Sequence, residues 1–224
     1  MEGKKIALVY DWLDKKGGAE RLIKILLEIF PSADIYTSAW DKNVLPWLDE
    51  KKVKQGFVSS LPRFLSRRRK LLLPIYPFVF ESFNFDQYDY VISLTAHFAK
   101  SVITKPSTKH LCYLLTPARA LWELDQYSVS RVERALAGPV LSYLRKWDYL
   151  SSKRPDKYLF ISQLVKRRAE KYYKASGEVL YPAFDREYWE KIALQSKKYS
   201  SKEKFPFLKK DYFLFVTRLE PYKR

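Results

Sequence analysis

Short runs of uninterrupted apolar residues alternate along this chain with stretches whose apolar side chains recur every three or four positions. Residues 6–10 (IALVY) form the first run, which Asp11 bounds. In "DKKGGAERLIKILLEIF", which follows shortly after, Leu22, Ile25, Leu26 and Ile29 fall at helical spacing. Further strands are predicted over 33–37, 89–94 and 110–115. A helix is predicted over 128–147, with a bend near Gly138 and Pro139, where the proline ring removes a backbone donor. "KYLFIS", residues 157–162, predicts a strand running into a serine N-cap. A helix over 163–173 follows, stopped near Gly177. "GEVLYPAFD" predicts a strand that ends in a turn. Strands that are apolar on both faces, with helices between them, predict an α/β domain with a doubly wound, mostly parallel sheet. Such sheets bind ligands beyond the carboxyl ends of their strands, so the loops there are the places to look for chemistry. The stretch 194–210, rich in Ser and Lys, reads as a linker. The expected organisation is therefore a domain over 1–193, a linker over 194–210 and the opening strand and loop of a second unit over 211–224.

Composition narrows the class. With 224 residues, 47% of them hydrophobic and 17% aromatic, the chain can bury a core and is not a disordered segment. Cys112 is the sole cysteine, so no intrachain disulfide forms, in keeping with a reducing compartment. No segment has the pattern of a secretory leader, and no apolar run approaches the ~20 residues of a spanning helix. Forty-two basic against 25 acidic residues give a formal charge of +17, which calls for an anionic partner. The charge is uneven: residues 51–80 hold eight basic side chains and no acidic one.

Four loops could carry chemistry. Gly17 and Gly18 lie between a strand and a helix, where glycine lets a ligand approach the backbone and the helix start offers free N–H groups. An ordinary strand-to-helix turn would look the same, and the spacing is not that of a dinucleotide fingerprint. His97 follows a strand; it could hold a substrate hydroxyl or simply pack on Phe98. Arg119 and Trp122 follow Thr116-Pro117. A guanidinium beside an indole suits an oxyanion and a sugar ring, although a surface arginine and a core tryptophan are equally ordinary. Arg63, Arg67, Arg68, Arg69 and Lys70 lead into "LLLPIYPFVF", which suits an anionic membrane interface or a solvated turn before a core helix. Two histidines and one cysteine offer no metal cluster, and there is no phosphate-binding Walker loop.

The order of these signals is more specific than any one of them. "GGAERL", "CYLLTPARALWE", "FISQLVKRRAEKYYKASGEVLYPAFD" and "FLFVTRLEPYKR" resemble successive motifs of glycosyltransferase family 4 (group 1). More narrowly, they resemble its bacterial mannosyltransferase-like branch, which acts on surface polysaccharides. The likeness spans nearly the whole chain. It implies the GT-B fold, two Rossmann-like domains facing a cleft, of which this chain would be the amino-terminal, acceptor-side half plus the start of the donor-binding half. Such a fragment is expected to be inactive alone. The resemblance implies that Arg218 and Lys223 contact the donor diphosphate, with Gly17 and Gly18 near the phosphates and the reacting sugar. It makes His97 the catalytic-position histidine, and Arg119, Trp122, Ser162, Lys166 and Arg167 acceptor-side or cleft residues. Ala120 departs from the pattern, which often has an aromatic residue there. The implied reaction transfers a sugar, with retention, from a nucleotide sugar (GDP-mannose by resemblance) to a saccharide or lipid-linked acceptor. No metal or other cofactor is implied, because cations can take the leaving diphosphate's charge. The implied location is the cytoplasm, with peripheral contact to an anionic membrane. Two other readings stay open: a non-catalytic membrane- or anion-binding remnant, and a basic nucleic-acid-binding α/β protein.

Overall fold

The computed structural model describes residues 3–62, 72–124, 131–184 and 186–196. By contacts the chain divides into two units, Met1–Pro182 and Ala183–Arg224.

The first unit is built on a seven-stranded sheet in the order β3-β2-β1-β4-β5-β6-β7, parallel throughout. The strands are β1 (Ile6–Tyr10), β2 (Asp34–Thr37), β3 (Val53–Gln55), β4 (Tyr90–Thr95), β5 (Lys109–Leu114), β6 (Lys157–Phe160) and β7 (Glu178–Val179). Its helices are α1 (Gly18–Ile29), α2 (Tyr76–Glu81), α3 (Arg119–Trp122), α4 (Arg131–Ser151) and α5 (Gln163–Tyr173). The order is that of a Rossmann-like, doubly wound sheet. The chain winds outward from β1 through β2 to β3, then returns to the centre and winds the other way from β4.

Alternation within β1 shows why its sequence is apolar at every position. Ala7 and Val9 enter one core with Tyr76, Val79 and Phe80 of α2 and Leu144 of α4. Ile6, Leu8 and Tyr10 enter the opposite core with Leu22 and Ile23 of α1. A strand covered on both faces has no polar side to show. A third cluster joins Cys112, Leu114, Tyr158 and Phe160 to Val165, Ala169 and Tyr173 of α5.

Some elements depart from the sequence pattern. In α1 the expected Leu22 is buried and the expected Ile25 and Leu26 pack partly buried against the core with Ile23 and Leu27, but Ile29 is exposed. Helix α4 contains Pro139, as expected, but runs on to Ser151 rather than ending at Trp147. Helix α5 ends before Gly177: Lys174 takes the left-handed C-cap conformation, φ 50°, and its N–H bonds the carbonyl of Ala169. Gly177 instead meets β6, since a Cβ there would stand 2.4 Å from the carbonyl oxygen of Tyr158.

In the second unit the described element is α6 (Arg186–Ser196), with an ion pair one turn apart between Arg186 and Glu190 (2.6 Å). Residues 194–196, expected in a linker, belong to this helix. The rest of that linker, the strand and loop over 211–224 with Arg218 and Lys223, and the basic run with Arg63, Arg67, Arg68, Arg69 and Lys70 lie outside the described residues. Among the described residues no helix is long and apolar enough to cross a membrane.

Candidate functional site

The winding direction reverses between β1 and β4, which pair from Ile6↔Tyr90 to Tyr10↔Leu94. In open α/β sheets ligands bind outside the carboxyl ends of the strands at such a switch point, which makes the crevice between these two loops the candidate site. The loop after β1 carries Asp11, Trp12, Gly17 and Gly18. The loop after β4 carries His97, and β5, next in the sheet, delivers Arg119 at the first position of α3.

Asp11 organises the crevice. It is buried, and its carboxylate gathers the whole turn that follows β4. Oδ1 accepts the N–H groups of Phe98 (2.7 Å) and Ala99 (2.8 Å). Oδ2 accepts those of Ala96 (2.8 Å) and His97 (3.0 Å). The Thr95 hydroxyl donates as well, at 2.9 Å from Oδ1. The carbonyl of Asp11 accepts the hydroxyl of Ser38 from the loop after β2.

His97 stands on this turn. Its ring lies 4.7 Å from that of Trp12, tilted by 31°, while Phe98 is farther, at 6.2 Å. Its main chain is gripped at both ends, the N–H by Asp11 and the carbonyl by the Lys100 ammonium (2.9 Å). Neither ring nitrogen makes a hydrogen bond among the described residues. The protein around the ring withholds water and pushes the histidine below its ordinary range. The charge of Asp11 opposes this shift and that of Lys100 adds to it, followed by weaker opposing and adding effects of Asp148 and Arg119. The ring is therefore neutral at pH 7, with one donor and one acceptor.

Behind His97 a buried ion pair ties the turn to α4. Lys100 meets Asp148, and both side chains have no exposed surface. The second oxygen of Asp148 accepts the indole N–H of Trp122 (2.7 Å). Trp122 is also stacked on Tyr172, 5.2 Å away at 24°. Both its polar atom and a ring contact are thus committed within the protein, which is a structural employment for a residue expected on the acceptor side. Lys100 further lies over the Tyr173 ring at 5.1 Å.

The remaining expected residues divide. Gly17 is the N-cap of α1, in extended conformation and with no side-chain cap. A Cβ there would stand 2.8 Å from Oε2 of Glu20, whereas one at Gly18 would meet nothing within 4 Å. Glu20 is buried in the first turn of α1 and accepts the Tyr10 hydroxyl (2.9 Å). Burial, then the charges of Glu20 and Asp11, push the Tyr10 hydroxyl far above its usual range. Ser162 caps α5 by accepting the N–H of Val165. Lys166 is half-buried and Arg167 exposed on the same helix, while Arg168 pairs with Glu123 at 2.9 Å. The structure thus brings Gly17, Gly18, His97 and Arg119 to the carboxyl edge of the sheet and leaves Trp122 and Ser162 with structural partners.

Sequence reasoning alone does not single out Asp11 or Lys100. Its signal for Asp11 is an acidic side chain placed directly after a buried strand. Which turn that side chain would hold depends on β4 lying beside β1.

Among the described residues no group of His, Cys, Asp and Glu is arranged to hold a metal ion. No family model matches the chain, and no curated protein does. Among solved structures it is similar to a lipopolysaccharide outer core galactosyltransferase, WaaB, in its apo form. Identity is 18% and the TM-score 0.43, over 81% of this chain and 46% of that one. The chain therefore spans about half the length of that structure. No family assignment follows from a likeness of this size.

Proposed function

We propose that this chain is the acceptor-side domain of a GT-B glycosyltransferase of family 4, in which residues 211–224 open the donor-binding side. The observation that carries the reading is the switch point of the sheet: a neutral histidine whose ring nitrogens make no hydrogen bond among the described residues, a strand-to-helix loop with an open glycine, and an arginine one strand away. In this reading His97 holds the acceptor hydroxyl or the reacting sugar, and Arg119 orients the acceptor. Gly18 gives the donor sugar and its diphosphate room to approach. That Arg218 and Lys223 supply the cations for the diphosphate rests on the motif resemblance. As the glycosidic bond to the diphosphate breaks, charge gathers on the leaving oxygen, and those cations stabilise it. Retention, GDP-mannose as donor and a lipid-linked saccharide as acceptor are the finer parts of the proposal and rest on the motif resemblance.

Saturation-transfer NMR with methyl α-mannopyranoside tests the acceptor side. The glycoside's ring protons are expected to receive saturation from the wild-type chain, and at least tenfold less from His97→Ala and Arg119→Ala. Radiolabelled GDP-mannose with lipid-linked saccharides tests the reaction, and the 224 residues alone are expected to transfer little or none. A folded chain that binds no saccharide would end this reading.

A further inference from the structure

Successive backbone N–H groups that converge just outside a parallel sheet form a natural anion site. After β4 four such groups converge, those of Ala96, His97, Phe98 and Ala99, and the anion they hold is the protein's own Asp11. We propose that Asp11 is the positioning residue of the site, and that by filling this nest it closes the turn after β4 to phosphate and leaves an uncharged hydroxyl as the group that His97 receives. Only the identification of that hydroxyl with a saccharide's rests on the glycosyltransferase reading.

Three features support the assignment. First, each oxygen of Asp11 accepts two N–H groups, and the Thr95 hydroxyl adds a fifth donor. A carboxylate so occupied has no acceptor capacity left for a substrate proton, so it is not a general base. Second, a phosphate at the turn would have to displace a buried charge or sit beside it, and like charges at that separation repel strongly. Third, the grip on His97 is double. Asp11 holds its N–H and Lys100 its carbonyl, and Lys100 is itself fixed by Asp148. The turn that carries the ring is thereby fixed, and the ring lies 4.7 Å from that of Trp12. One donor and one acceptor match a hydroxyl, which also offers one of each; a phosphate asks for donors only.

The test is an NMR titration of the labelled 224-residue chain with inorganic phosphate and, separately, methyl α-mannopyranoside at fixed ionic strength. In the wild type, phosphate in large excess is expected to leave the amides of residues 96–99 unmoved, and the glycoside to shift the His97 ring nitrogens. In Asp11→Asn, phosphate is expected to produce saturable shifts at those amides, and glycoside affinity at His97 to fall at least tenfold. Saturable phosphate shifts at residues 96–99 of the wild type would overturn the proposal. So would an Asp11→Asn chain that folds and keeps wild-type responses to both probes. Should that variant not fold, the wild-type phosphate arm decides alone. Wild-type amides that ignore phosphate, beside a His97 that also ignores the glycoside, would leave the closed nest standing and sink the saccharide reading.

Discussion

Lys100 has no exposed side-chain surface, and its charge is met by a carboxylate and a carbonyl on different elements, Asp148 of α4 and His97. Removing one partner of such a pair strands the other in the interior. Lys100→Met is expected to lower unfolding free energy by about 3–5 kcal/mol in urea titrations, and adding Asp148→Asn to recover part of that loss. A single-variant loss under about 1 kcal/mol would mean that the pair is solvated. The two histidines give a pH signature. His110 on β5 is buried, bonded through Nε2 to Ser93 (2.8 Å), and its Nδ1 has no partner among the described residues. Burial pushes it down to about 4, with Asp156 opposing and Arg154 adding. The unfolded chain takes up a proton near pH 6.5 that the folded chain refuses, so stability is full above that value. It then falls as the pH drops toward 4, by about 3 kcal/mol for this residue. His97, shifted in the same direction, steepens the fall. His110→Gln should flatten the slope of stability between pH 6.5 and 4; an unchanged slope would refute the assignment.

Secondary elements differ in how much of themselves they write into the sequence. Helix α5 occupies the 163–173 expected of it because its signals are local: Ser162 caps it, and Val165, Ala169 and Tyr173 form its buried stripe. Strand β1 is equally plain, being buried at every position. Strand β3 is not, since Val53 is buried while Lys54 and Gln55 are exposed, and only pairing with β2 makes it a strand. The site divides in the same way. Glycines after a strand and a histidine after another are visible locally, whereas the grip of Asp11 on residues 96–99 depends on strand order. Gly177 shows how a local signal can mislead, because it reads as a helix stop and serves a close strand approach instead. Gly177→Ala should therefore destabilise β6–β7 pairing by more than the ~1 kcal/mol expected from losing the Ser162 cap in Ser162→Ala. Chemical denaturation of the two variants, with amide exchange on β7, checks the order; a neutral Gly177→Ala would show that the strands can part freely.

On the scale of the whole molecule, the charge of +17 asks for a partner. Ile75 at the start of α2 and Phe78 within it are exposed three positions apart, directly after the basic run that ends at Lys70, and Phe57 is exposed as well. Cosedimentation with phosphatidylglycerol vesicles is expected and should weaken as salt rises, whereas phosphatidylcholine vesicles should leave the chain in solution. Equal binding to both lipids, or to neither, would refute an anionic-membrane contact. The grip of Asp11 also has a consequence for the order in which the molecule is made. The carboxylate and its partners lie 84 to 88 residues apart in the chain. At a synthesis rate of ~5–20 residues per second, the ribosome needs about 4 to 17 s to supply those partners after Asp11 itself. Throughout that interval β1 lacks its neighbour β4 and the acid remains in water. The central pairing of the sheet must wait for translation, and a helper that shields apolar strands during those seconds would improve the yield of folded chain.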